Sequence, residues 1–208
     1  MSSTQRHTPP ITIVATGCAN TASVVAAFKR LGRSAVLGQD RDQIAKAEYL
    51  VLPGVGSFGA IAKRLRELDL AEALVDRIRA DRPTLGICLG MQVLFEASEE
   101  SPESPGLGAL PGRLIGYRGE QRVPHMGWNR IVPTGAGLLE EGYAYFANSY
   151  RLSDLPAGWN GATSEYGGRF TSAVERGAVL ACQFHPELSG SYGESLLRRW
   201  LAAGRSIR

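Results

Sequence analysis

Cys88, His185 and Glu187 are the residues of this 208-residue chain whose types and settings fit acyl-transfer chemistry. Cys88 lies in Leu85-Gly-Ile-Cys88-Leu-Gly90-Met-Gln92, with a glycine two residues away on either side. A strand-like run precedes it and a segment of helical spacing follows. This is the thiol counterpart of the G-x-S-x-G elbow, a tight turn that lifts a nucleophile to the end of a strand. Glycines suit such a turn because it is strained and its neighbours come close. The start of the next helix favours an anion such as a thiolate. It also leaves the Leu89 N–H free for a developing oxyanion. A free cysteine is commonly just a small buried apolar group, and the glycine frame argues against that reading here.

A thiol that attacks an amide needs an imidazole to take its proton and return it to the leaving amine. There are three histidines. His7 lies in a polar N-terminal tail and His125 in a Pro-rich, loop-like segment. His185 ends the strand-like run Val179 to Phe184, where a base could face an elbow on a neighbouring strand end. Glu187, two residues on, could orient that imidazole and stabilise its protonated form. Cys18 and Cys182 lack such a setting and read as packing residues.

The elements that must hold these groups alternate in the N-terminal half. Ile11 to Ala15, Ser34 to Leu37, Tyr49 to Leu52 and Pro83 to Ile87 read as strands, the third stopped by Pro53-Gly54. Helical stripes fall at Val24, Val25, Phe28, Leu31; at Phe58, Ile61, Ala62, Leu65; at Ala71, Leu74, Val75, Ile78; and from Leu89 to Phe95. That βαβα order predicts an α/β fold with a mostly parallel sheet flanked by helices, and ligands at the carboxyl ends of its strands. Glu99 to Pro111 reads as a surface loop. Beyond it, short runs between Gly-rich turns predict additional antiparallel strands, and Leu196, Leu197, Trp200 and Leu201 mark a closing helix. The expected organisation is a flexible tail over residues 1–10 and one domain over 11–205.

Composition narrows the class. Hydrophobic residues are 44%, charged residues 21% and the net charge +3, a globular balance without a nucleic-acid footprint. The three cysteines form neither a disulfide framework nor a zinc pattern. No metal or cofactor is expected. No apolar run reaches the roughly 20 residues that span a bilayer, and no signal segment is legible. A cytoplasmic setting, where a thiol stays reduced, follows.

Gly86-Ile-Cys88-Leu-Gly-Met-Gln92 together with Phe184-His185-Pro-Glu187 resembles the class I (triad) glutamine amidotransferases, whose fold is flavodoxin-like. Other segments are similar to the branch of that family serving histidine biosynthesis. These are Thr16-Gly-Cys-Ala-Asn20, Pro53-Gly-Val-Gly56, Pro124-His125-Met-Gly-Trp128-Asn129, Tyr145-Phe-Ala-Asn148-Ser149-Tyr150 and Pro186-Glu187-Leu-Ser189-Gly190. The resemblance runs from about Ile11 to Leu201.

It implies a glutaminase that hydrolyses glutamine through a cysteine thioester. The ammonia would pass to a (β/α)₈-barrel cyclase in a heterodimer, which makes imidazole glycerol phosphate and aminoimidazole carboxamide ribotide. Cys88 would be the nucleophile, His185 the proton shuttle and Glu187 its orienter. Leu89 and the Gly54-Val55 loop would supply oxyanion donors, the glycines at 54 and 56 letting that loop reorient when the partner binds. Gly56, Gln92, Glu100, Ser149 and Tyr150 would contact glutamine, although Gln92 also reads as a helix-surface residue and Glu100 as part of a solvated loop. His125, Met126, Trp128 and Asn129 would form the partner interface, against a reading of Trp128 as core. The chain departs from the pattern at Leu188, where a basic residue is common, at Asn148, where His is common, and at Ala15, where an acid is common. Two other readings stand beside this one: a glutaminase for another pathway such as vitamin B6 synthesis, and a non-catalytic binding subunit on the same fold.

Overall fold

The computed structural model describes residues 8–17 and 20–206, so His7 and Cys18 lie outside the described residues. In chain order the first half contains β1 (Ile11–Val14), α1 (Thr21–Arg30), β2 (Ala35–Gly38), α2 (Arg41–Lys46), β3 (Tyr49–Gly54), α3 (Phe58–Glu67), α4 (Ala71–Arg79), β4 (Thr84–Cys88) and α5 (Leu89–Gln92). There follow β5 (Ala97–Ser98), β6 (Arg113–Gly116), β7 (His125–Pro133), β8 (Gly142–Asn148), β9 (Tyr150–Leu152), β10 (Asn160–Glu165), β11 (Arg169–Arg176), β12 (Val179–Cys182) and α6 (Gly190–Ala203). The strand order is β2-β1-β3-β4-β12-β11-β10-β7-β8. The pairs from β2 to β12 are parallel and those beyond are antiparallel. This is the expected α/β architecture.

Alternation along β3 explains the two-layer core. Leu50 and Leu52 face one side, where they meet Phe58, Ile61 and Leu65 of α3 and Leu74 of α4. Tyr49 and Val51 face the other, against Phe28 of α1 and Leu196 and Trp200 of α6. Each fully buried Leu or Phe contributes about 1.5–3 kcal/mol relative to exposure. At the far end of α6 the Tyr49 hydroxyl donates to Leu201 O at 2.9 Å, and Trp200 Nε1 donates to Ala178 O at 2.9 Å. The helix therefore terminates beside the beginnings of β3 and β12.

Several elements differ from the sequence expectation. Pro53-Gly54 does not stop β3: both residues stay in the ladder, opposite Ile87 and Cys88. The pairing with β1 ends at Val51, so a residue lacking an N–H costs no ladder bond on that side. The helix after Cys88 is a single turn. Val93, Leu94 and Phe95 instead give their carbonyls to the N–H groups of Leu107, Leu110 and Gly108. Those bonds fold the expected surface loop back onto the domain.

On α4 the buried face is Ala73, Leu74, Arg77 and Ile78. Arg77 donates to four backbone carbonyls, Ile44, Ala45, Ala47 and Pro83 at 2.7–3.3 Å, a core role that an apolar stripe cannot reveal. The polar helix α2 carried no period; Asp40 caps it, accepting from Gln43 N–H at 3.0 Å. Of the Pro124-to-Asn129 segment, expected as loop, His125 to Asn129 enter β7 and pair residue by residue with β8.

Among the described glycines, the one an added Cβ would crowd most joins α5 to β3. A Cβ added to Gly90 would lie 1.8 Å from Leu52 O, a backbone atom that cannot yield. Gly90→Ala should therefore lower stability by about 3 kcal/mol or more, read as a shift in the urea midpoint at unchanged slope.

Candidate active site

Cys88 closes β4 with φ 54° and ψ −114°, a backbone conformation that side-chain-bearing residues rarely adopt. The turn persists because Gly90 lets the next turn of chain lie against Leu52. The single-turn helix α5 sums too few peptide dipoles to create a large field. What it contributes is local: the Leu89 N–H, first in the helix, has no intrahelical acceptor.

β12 lies beside β4, with Cys182 opposite Ile87. Three residues further on, His185 is level with the elbow. It is fixed by its backbone: its N–H donates to Tyr145 O at 2.9 Å. Its carbonyl accepts from Ser189 Oγ at 2.6 Å, and that oxygen accepts the Tyr145 N–H at 3.0 Å. Pro186–Leu188 then forms a 3-10 turn that swings Glu187 back. Glu187 Oε1 lies 2.8 Å from His185 Nδ1, with both side chains nearly inaccessible. Burial alone would depress the His185 pKa. Hydrogen bonds to Cys88 and Glu187, and the charges of both, outweigh it and raise the value to about 10. The imidazole is thus held protonated at neutral pH, between a sulfur and a carboxylate.

These three residues line one cavity of about 340 Å³, a volume usual for small ligands. Gly54, Val55, Gly56, Leu89, Gln92, Glu100, Ser149 and Tyr150 line it too. The structure therefore gathers every expected catalytic, oxyanion and substrate-contact residue around Cys88. Two expected properties need correction. Gln92 is buried, not on a helix surface, and donates to Tyr150 O at 3.1 Å and Gln183 Oε1 at 2.8 Å. That leaves only its Oε1 uncommitted toward a ligand. Glu100 is half-buried and tied down rather than freely solvated, its Oε2 accepting the Phe58 N–H at the start of α3 at 2.8 Å. The freedom of the 54–56 loop is also one-sided: Gly54 is fixed in the ladder with β4, whereas Gly56 has φ 102° and open space around it.

The expected interface residues divide. Met126 and Trp128 are exposed, 65% and 58%, so Trp128 is not core. His125 is buried and does not reach that surface. Its ring stacks on Tyr166 and Phe146, with centroids at 3.9 and 4.8 Å. Desolvation lowers its pKa to about 4, so it is neutral. Asn129 is half-buried and turned inward, donating to Glu165 O at 2.9 Å and lying 3.3 Å from His125 Nε2. The alternation of β7 decides this: even-numbered residues 126 and 128 face out while 125 and 129 face in.

Sequence reasoning missed Gln183, fully buried with its Nε2 3.8 Å from Cys88 Sγ, and the Ser189 tie. A polar residue inside the apolar run Val179 to Phe184 was the available signal for Gln183. Among the described residues no group of three His, Cys, Asp or Glu could hold a metal ion, and no helix is long and apolar enough to cross a membrane.

The family profile "Glutamine amidotransferase class-I" matches residues 14–203. The chain is 40% identical to the imidazole glycerol phosphate synthase subunit HisH of Lactococcus lactis subsp. lactis, covering 92% of this chain and 97% of that protein. It is 41% identical to the subunit of the same name from Rhodopirellula baltica, covering 93% and 97%. The chloroplastic imidazole glycerol phosphate synthase hisHF of Arabidopsis thaliana is 41% identical over 92% of this chain, which spans 34% of that longer protein. A solved structure titled "Crystal structure of glutamine amidotransferase" superposes with TM-score 0.76 at 23% identity, covering 94% of this chain and 98% of the other, a likeness of fold.

Two titrations follow from this geometry, with opposite signs. The folded pKa of His185 lies above the unfolded value of about 6.5, so its protonated form stabilises the fold fully below that pH and the contribution is lost as pH rises through about 10. Glu187→Gln should move the His185 titration, followed by imidazole NMR shifts, to lower pH. His125 has a depressed folded pKa, so its contribution is intact above about 6.5 and is lost as pH falls towards about 4. His125→Phe should flatten the fall of the thermal midpoint between pH 6.5 and 4.5.

Proposed function

The chain belongs to the class I glutamine amidotransferases, and on that premise we propose that it is the glutaminase subunit of an imidazole glycerol phosphate synthase. The observation that carries the reading is the Cys88–His185–Glu187 grouping, with the imidazole protonated between sulfur and carboxylate in a ligand-sized cavity.

Glutamine enters with its side-chain amide over Cys88. The thiolate attacks the amide carbon, and the oxyanion is met by the Leu89 N–H and a peptide N–H of the Gly54-Val55 loop. His185 passes its proton to the amide nitrogen, the C–N bond breaks and ammonia leaves a glutamyl thioester. Water then attacks the thioester with His185 as base, giving glutamate and the free thiol. Glu187 keeps the imidazole oriented throughout and stabilises its protonated form each time it forms. Gly56, Gln92, Glu100, Ser149 and Tyr150 hold the amino-acid end of the substrate.

The ammonia goes to a (β/α)₈-barrel cyclase, which makes imidazole glycerol phosphate and aminoimidazole carboxamide ribotide. The docking face rests on register. Met126 opposes Ala147 and Trp128 opposes Tyr145, so each pair shares one face of the β7–β8 hairpin. Ala147 and Tyr145 also line the cavity, which makes exposed Trp128 and Met126 the continuation of its rim. Leu188, 45% exposed and lining the same cavity, adds an apolar contact where relatives of the resemblance carry a charge. Residues 11–205 act as one unit in a cytoplasmic heterodimer.

Cys88→Ala should abolish both glutamate release and covalent capture of a glutamine-like electrophile, located by peptide mass. An unlabelled wild-type Cys88 would sink the enzyme reading in favour of a binding module. Trp128→Ala should weaken binding to the barrel partner about 30-fold, or 2 kcal/mol, measured by calorimetry. The wild-type chain alone should release glutamate more slowly than the complex if docking reorients the peptide after Gly54; equal rates would contradict that coupling.

A further inference from the structure

Gln183 has no part in the proton transfers described above, yet its carboxamide is oriented with unusual definition. It follows Cys182 directly and is fully buried, its backbone tied to β11 by an N–H to Ser172 O bond of 2.9 Å. The orientation begins at Tyr150 O, a backbone carbonyl, which can only accept. Gln92 must therefore turn Nε2 toward it, at 3.1 Å. The same NH₂ group donates to Gln183 Oε1 at 2.8 Å. With that oxygen held, Gln183 has to present Nε2 to Cys88 Sγ, at 3.8 Å. Asn148 Nδ2 donates to the same Tyr150 carbonyl at 3.0 Å, keeping it from turning away.

We propose that Gln183 is a positioning residue for the nucleophile: its carboxamide N–H, aimed by Gln92, holds the Cys88 sulfur at the strand end and stabilises the thiolate. The inference rests on the reading of Cys88 as nucleophile. It adds a second donor that approaches the sulfur from the interior of the sheet, besides the imidazole of His185. Cys88 is only 8% exposed, so water contributes little to solvating an anion there, and an oriented N–H replaces it. The alternative orientation would aim an amide oxygen at the thiolate, and the contact to Gln92 forbids it.

The test uses the full-length chain with Gln183→Met, which keeps length and removes the donor, and Gln183→Glu, which substitutes an anionic acceptor. Iodoacetamide alkylation is followed from pH 6 to 10, with the adduct assigned to Cys88 by peptide mass. Gln183→Met should alkylate about tenfold more slowly than wild type at pH 7, the size of one lost hydrogen bond to a charged group. The rate should rejoin wild type by pH 10, and Gln183→Glu should be slower still at pH 7. Should Gln183→Met fail to fold, Gln92→Met, which releases the carboxamide to turn over, must give the same pH-dependent loss. For glutamine hydrolysis, kcat of Gln183→Met should fall while KM holds. Rates at pH 7 within twofold of wild type, or a deficit unchanged at pH 10, would overturn the proposal, the second outcome marking mere disruption. A wild type that releases no glutamate yet shows the alkylation pattern sinks the glutaminase reading alone. An active wild type whose variants lack the pattern sinks this inference alone.

Discussion

The contact of Gly90 with the Leu52 carbonyl is the constraint on which the site depends. A residue with a side chain at φ 54° costs about 1–3 kcal/mol in an ordinary turn, and it persists only where the surroundings leave no relaxed alternative. Here β3 and β4 run in register to their ends, Gly54 opposite Cys88. The chain leaving Cys88 has to pass directly over β3. Only a residue without a Cβ can occupy that crossing, and once it does, the sulfur has no direction to point but the carboxyl margin of the sheet. The loop of β3 and the turn after β12 then meet it there because they end at the same level.

The two described histidines show how completely surroundings decide what one side chain is. His185 and His125 are both buried, yet one is drawn to about 10 and the other to about 4. The difference is the company each keeps. His185 has a thiol and a carboxylate, groups that reward a positive charge. His125 has aromatic faces and neutral hydrogen-bonding groups, Tyr117 and Asn129, which tolerate it only uncharged. The first arrangement suits a group that must hand over a proton; the second suits a rigid spacer behind an exposed hairpin.

What the sequence disclosed and what it hid divide along a physical line. The parallel half was legible because its strands are buried on both faces and its helices carry apolar stripes, as Phe58, Ile61, Ala62 and Leu65 do. The Cys88 elbow and the His185-Pro-Glu187 turn were legible because local backbone geometry demands those residue types. Polar groups that work from inside the core were hidden. Arg77 satisfies four carbonyls, and Gln92 donates to Gln183 across separate elements; no periodicity marks such partners, since they are set by tertiary proximity alone. The alternation along β7 was hidden for another reason. Gly and Pro near His125 suggested a loop, and only pairing with β8 gives the segment a period of two, which turns 126 and 128 outward and 125 and 129 inward.

The seating of the last helix has a practical corollary. Its terminus is moored by Tyr49 and Trp200 at the strand beginnings, while the sulfur stands at the strand finish, a β4 length of about 15 Å away. A surface tether, fluorophore or resin linkage attached after Ser206 would therefore leave from the floor of the molecule. Immobilised in that way, the enzyme would present its mouth and its aromatic hairpin upward to whatever flows past.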